Sequence, residues 1–154
     1  MNLNKNIYCG VTSVINNQAN SVKCYLPEYT LIEKLQTIST KYRVNKQRNI
    51  GSPINFIRHY YDVYQLLQTE QVQNFLSTDD YYTYKQEKFG IPNELDLTKN
   101  PAFQLLEPGE IDKFSSLYQK KAEIYFGDIP PFEKIIEYLK KLCRYSLINI
   151  LVRV

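Results

Sequence analysis

The 154-residue chain contains no tryptophan, one histidine, one methionine, five glycines and three cysteines. Each shortage removes a class of chemistry. Cys9, Cys24 and Cys143 are odd in number, widely spaced and form no C-x-x-C pair. Neither a disulfide framework nor a zinc site is therefore expected, because His59 is the only imidazole that could join them, and the cysteines read as small buried hydrophobes. No P-loop, G-x-G-x-x-G, H-E-x-x-H or G-x-S-x-G occurs, so the usual mononucleotide, dinucleotide, zinc-hydrolase and serine-hydrolase signatures are absent. A lone histidine with no marked partner reads as a packed or hydrogen-bonded residue rather than a catalyst. No apolar run approaches the roughly 20 residues that span a bilayer. The start "MNLNKNIYCG" has one lysine and no apolar core, unlike a secretion signal. A cytoplasmic protein without membrane contact is expected. Acids are missing too from the first part of the chain, where Glu28 is the first to appear.

The remaining composition is ordinary: 44% hydrophobic and 23% charged residues suit one globular domain over residues 1–154. The net charge of +3 is small, so a nucleic-acid footprint requires clustering. The densest basic stretch is "KYRVNKQR", with Lys41, Arg43, Lys46 and Arg48 and no acid among them. It reads either as a solvated helix end and loop or as a surface for a phosphate backbone or nucleotide tail, with Arg58 a further candidate contact. Tyrosine is abundant at 14 residues. Its rings can stack on bases, but most fall at helix-core spacing.

Along the chain, "IYCGVTSVI" and "SVKCYL" are short β-branched segments around the polar "NNQAN" and predict a β-hairpin within residues 1–26. Helical periodicity follows over residues 27–149. Leu31, Leu35, Ile38 and Tyr42 form one apolar stripe, with Thr30 and Glu33 as a capping box and "NKQRNIG" as a loop. Ser52 and Pro53 start a helix to about Leu67 that is apolar around much of its circumference, the expected centre of the domain. Shorter helices are expected over "EQVQNFLS" and "DDYYTYKQEKFG". An ordered loop over 91–109 would be anchored by Phe103, Leu105 and Leu106, ahead of two amphipathic helices starting near Glu110 and Phe132. The expected class is mainly α: a helical, bundle-like domain with a small N-terminal hairpin.

Two charged residues stand out within this pattern. Asp62 lies in "RHYYDVYQLL" on the buried helix, and Lys34 lies in "IEKL" on the preceding one. Local partners exist for both. Arg58 is one turn before Asp62, and Glu33 is beside Lys34, so each could belong to a surface ion pair worth a few tenths of a kcal/mol.

"PEYTLIEKL", "RHYYDVYQLL" and "YQKKAEIYFGDIPPFEKIIEYLKKL", in this order, resemble the later part of the AbiEii-type nucleotidyltransferase toxins. That family belongs to the DNA polymerase β-like nucleotidyltransferases of toxin–antitoxin and phage-defence systems. The resemblance runs from about Val22 to Asn149. It implies that Lys34 and Asp62 are active-site residues, that Mg²⁺ and an NTP are the cofactor and substrate, and that tRNA or another RNA and an antitoxin are partners. It also implies that the hairpin is the remnant edge of the family's sheet. Chemically, a lysine ammonium suits NTP phosphates, and an aspartate can orient it or help activate an attacking hydroxyl.

The family's metal-binding part is a Gly-Ser motif followed by acids on the sheet. Here "GVTSVINN" has no Gly-Ser pair and no acid, and Gly51-Ser52, the single Gly-Ser dipeptide, precedes a proline helix start. Two-metal chemistry without carboxylates is not credible, so no metal-ligating residue is assigned. The expectation is a truncated nucleotidyltransferase, inactive alone. The alternatives are a protein-interaction module, using an unpaired hairpin edge and able to form homo-oligomers, or one half of a two-chain enzyme completed by a separate N-terminal half.

Overall fold

A computed structural model describes residues 25–49, 52–121 and 129–151, with the side chains of the last helix described to Lys141 and at Cys143. Its first element, α1, spans Pro27–Arg48. Pro27 occupies the first turn, where its missing N–H costs nothing. Thr30 does not form the expected box with Glu33: the helix has already begun, and its hydroxyl donates back to the Leu26 carbonyl at 3.0 Å. The expected loop over "NKQR" is also helical. Lysine, glutamine and arginine are good helix formers, and the helix stops only where Asn49 takes a left-handed conformation (φ 50°). At 22 residues, α1 is about 33 Å long.

The helix expected from Ser52 to Leu67 is divided. Ser52 Oγ accepts from the Ile54 N–H and starts a 3-10 turn, Pro53–Asn55. Phe56 then leaves helical geometry (φ −129°) and is buried against Phe114 at 6.1 Å between ring centroids, so the ring contact overrides helix continuity. α2 follows as Arg58–Leu66. The short helices α3 (Glu70–Phe75) and α4 (Asp79–Phe89) match their sequence expectation. Thr78 caps α4 by accepting from the Tyr81 N–H at 3.2 Å, and Gly90 ends it at φ 55°, a conformation that favours glycine.

The 91–109 segment contains α5, Pro101–Gln104. It is tied to α1 by side-chain amides: Asn93 donates to Thr40 Oγ1 at 2.9 Å and Asn100 to Ser39 Oγ at 2.8 Å. Phe103 and Leu105 are buried anchors as expected, but Leu106 is 80% exposed, because Leu105 turns left-handed (φ 44°) and sends the next residue outward. α6 (Glu110–Gln119) and α7 (Phe132–Leu151) complete the described residues.

α1 packs against α2, α3, α4 and α5, and α7 closes over α2, α5 and α6. The centre of the domain is therefore α1 rather than the 52–67 segment, since α1 meets four of the described helices. The core is aromatic. Tyr60, fully buried, donates its hydroxyl to the Ala102 carbonyl at 2.7 Å and meets Phe103, Phe114 and Phe132 edge-on. Each buried ring of this size contributes about 1.5–3 kcal/mol of apolar transfer. Phe132, Ile135, Ile136 and Leu139 bury the inner face of α7, with Cys143, a free thiol at 3% exposure, on the same face. The mainly helical class holds, and there is no strand among the described residues. The expected hairpin lies outside them except for Tyr25 and Leu26, which are exposed. Among the described residues, no helix is long and apolar enough to cross a membrane.

Candidate functional site

α1 and α2 bring Lys34 and Asp62 together across 28 residues of sequence. On α1, Leu31, Ile32, Leu35 and Ile38 are buried, which leaves Lys34 at the margin of the apolar face. On α2, Tyr60, Tyr61 and Val63 are buried, while His59 and Asp62, three residues apart, share a side. The Lys34 ammonium donates to Asp62 Oδ2 at 2.7 Å, with the two side chains 27% and 32% exposed. His59 Nδ1 lies 3.3 Å from each of these atoms. Burial by itself would raise the Asp62 carboxyl, but the contacts with His59 and Lys34 and the lysine charge outweigh it and hold the group below its ordinary range.

This arrangement decides between the local and long-range partners. Arg58 is exposed, and Asp62 turns to Lys34 rather than to it. Glu33 turns the other way, accepting from the Tyr84 hydroxyl at 2.9 Å and from Lys88 at 3.3 Å. The result is a half-buried cation paired with an oriented carboxylate.

The basic stretch is split rather than gathered. Seven residues are nearly two helical turns, so Lys34, Lys41 and Arg48 recur along one face of α1, and Lys41 and Arg48 are exposed. Lys41 also lines a shallow cleft of about 290 Å³ against Ser52, Asn55 and Phe56. Arg43 and Lys46 point elsewhere, into a cleft of about 320 Å³ beside the 91–109 segment. There Arg43 donates to Asn93 at 3.2 Å, while Lys46 pairs with Glu107 and, at 2.8 Å, with Glu110.

Two charged residues that spacing did not single out prove to be buried. Glu110, 5% exposed, accepts from Tyr42 at 2.8 Å as well as from Lys46. Burial, followed by the bond to Glu110, pushes the Tyr42 phenol well up. Nothing local marks Glu110, which looks like an ordinary first-turn acid. Lys85 did carry a signal: Tyr81, Lys85 and Phe89 recur every fourth residue, on one stripe. Its ammonium sits 5.4 Å from the Tyr81 ring centroid and 5.6 Å from that of Phe89, and burial pulls its pKa down to about 8.

A divalent metal does not fit the described residues. No group of three histidine, cysteine or acidic side chains is placed to hold one, and Asp62 is a single carboxylate already shared by Lys34 and His59.

The described residues thus form a helical domain with a half-buried lysine held by an aspartate. The family model described as nucleotidyl transferase AbiEii toxin, Type IV TA system, matches residues 6–138. The chain belongs to that family. Among curated proteins and among solved structures, none matches it.

Proposed function

We propose that this chain carries the lysine–aspartate half of a nucleotidyl-transfer site, in which Lys34 binds NTP phosphates and Asp62 orients it. The observation that carries this reading is the 2.7 Å bond joining the two across α1 and α2. An ammonium held from one side by a carboxylate and open on another is suited to a phosphate oxygen. In this reading the carboxylates that hold Mg²⁺ come from another segment or polypeptide. The only acids before Asp62 are Glu28 and Glu33; Glu28 accepts from Gln71, and Glu33 is held by Tyr84 and Lys88. The described part therefore binds nucleotide but does not transfer it alone.

The acceptor is an RNA such as tRNA, approaching along the face of α1 that carries Lys41 and Arg48, with Arg58 beside Asp62. Arg43 and Lys46, engaged with the 91–109 segment, are not part of that track. The family's toxin–antitoxin setting supports an antitoxin as a further partner.

Titrating the full chain with ATP and GTP without Mg²⁺ tests the lysine. Lys34→Ala is expected to weaken binding at least about tenfold, the equivalent of one charge-assisted hydrogen bond. Unchanged affinity would sink the reading. Label transfer from NTP to total tRNA with Mg²⁺ by the chain alone, abolished in Lys34→Ala and Asp62→Ala, would overturn the claim that the chain is inactive alone. For the RNA track, replacing Lys41, Arg48 and Arg58 by alanine should flatten the salt dependence of tRNA binding, while replacing Arg43 and Lys46 should leave it nearly unchanged.

A further inference from the structure

His59 is the only histidine in the chain, and its Nδ1 is the third corner of a triangle whose other corners are Lys34 Nζ and Asp62 Oδ2, with sides of 2.7, 3.3 and 3.3 Å. One ring nitrogen can serve only one of these neighbours at a time. With its proton on Nε2, Nδ1 offers a lone pair and accepts from the ammonium; with the proton on Nδ1, it donates to the carboxylate.

The geometry separates the two arrangements. Both contacts of Asp62 fall on the same oxygen, Oδ2. The carboxylate oxygen could accept two donors, but a proton on Nδ1 would turn an N–H toward the full positive charge of the ammonium 3.3 Å away. A proton on Nε2 instead gives the ammonium, which has three N–H groups and no acceptor of its own, a second acceptor. One acceptor lets a lysine tail pivot about its contact, whereas two acceptors on adjacent parts of one helix hold it at two points. The His59 side chain is 9% exposed, so its ring is itself fixed by packing, while Lys34 at 27% keeps an open side.

We propose that His59 is a positioning residue: unprotonated at Nδ1, it shares the Lys34 ammonium with Asp62 and aims the remaining N–H of that ammonium at an incoming phosphate. This rests on the reading of Lys34 as the phosphate ligand.

Because there is one histidine, nitrogen-15 NMR of the full chain reads a single imidazole. At about pH 8, above the ordinary histidine range, Nδ1 is expected to be the deshielded, unprotonated ring nitrogen and Nε2 the protonated one. The reverse assignment overturns the proposal. The second arm titrates inorganic tripolyphosphate. His59→Leu, which removes the acceptor, should weaken binding about tenfold, whereas His59→Asn, whose amide oxygen can take the place of Nδ1, should stay within about threefold of the parent. Equal losses in both variants, or no loss in His59→Leu, count against the role. If His59→Leu fails to fold, the ring spectrum and His59→Asn still decide. Tripolyphosphate binding that is equal in the parent and Lys34→Ala would remove the phosphate-ligand reading and this role with it. The ring spectrum is taken without ligand, so a wrong tautomer with normal Lys34-dependent binding sinks the role of His59 alone.

Discussion

Two lysines of α1, twelve positions apart, reach carboxylates on other elements and end in opposite situations. Lys46 meets Glu107 and Glu110, and the Glu110 side chain is 4% exposed, held also by Tyr42. Its positive charge is outnumbered and consumed. Lys34 meets one carboxylate and one imidazole nitrogen, with both members of the pair about a third exposed. The first cluster ties the start of α6 to α1, and the second leaves a cation available. The difference lies in the number of acids and in the burial of one of them, Glu110, not in the exposure of the lysines, which is 35% for Lys46 and 27% for Lys34. A third lysine marks the limit: Lys85 is 8% exposed between two rings, with no carboxylate bonded to it among the described contacts.

Lys85 gives the largest expected effect. Its folded pKa, about 8, lies below the ordinary 10.5, so between these values the unfolded chain binds more protons and stability rises with pH. At neutral pH, Lys85→Met should raise stability by up to about 3 kcal/mol and remove that rise. Urea midpoints at pH 7.5 and 9.5 check both. Lys46→Ala comes next. It leaves the Glu110 carboxylate buried with less compensation and should cost about 1–3 kcal/mol, read as a lower urea midpoint, with nucleotide binding unaffected. A variant that lost binding but kept its stability would erase the contrast between the two clusters.

Asp62→Asn should have the smallest effect on stability, below about 1 kcal/mol for a pair this exposed. The sign follows from the lowered carboxyl: its contribution is present above the ordinary value of 3.8 and is lost as pH falls through the lower folded value. Acid unfolding curves of the parent and Asp62→Asn should therefore separate at neutral pH and converge in strong acid. A large neutral-pH loss would class the Lys34 pair with the Lys46 cluster, as architecture.

The order and approximate position of most helices were legible from apolar spacing, proline starts and Gly90, because those signals act within a turn or two of chain. The errors have local causes of another kind. "NKQR" lacks apolar residues, yet its helix propensity and the Asn49 cap carry α1 onward. Phe56 breaks its helix to reach Phe114, a partner that no local window contains. Lys34 and Asp62 were marked by family resemblance, while residue spacing alone favoured Glu33 and Arg58 as their neighbours.

Periodicity and composition were enough to define a mainly helical chain, with tyrosine and phenylalanine in place of tryptophan in its core. They could not divide "KYRVNKQR" into an exposed face and a consumed one, nor join residues 28 and 68 positions apart into the Lys34–Asp62 and Tyr42–Glu110 contacts. Helix formation is governed by neighbours three and four residues away. The choice of partner for a charge is governed by which helices the aromatic core brings into register, and that emerges only when they pack.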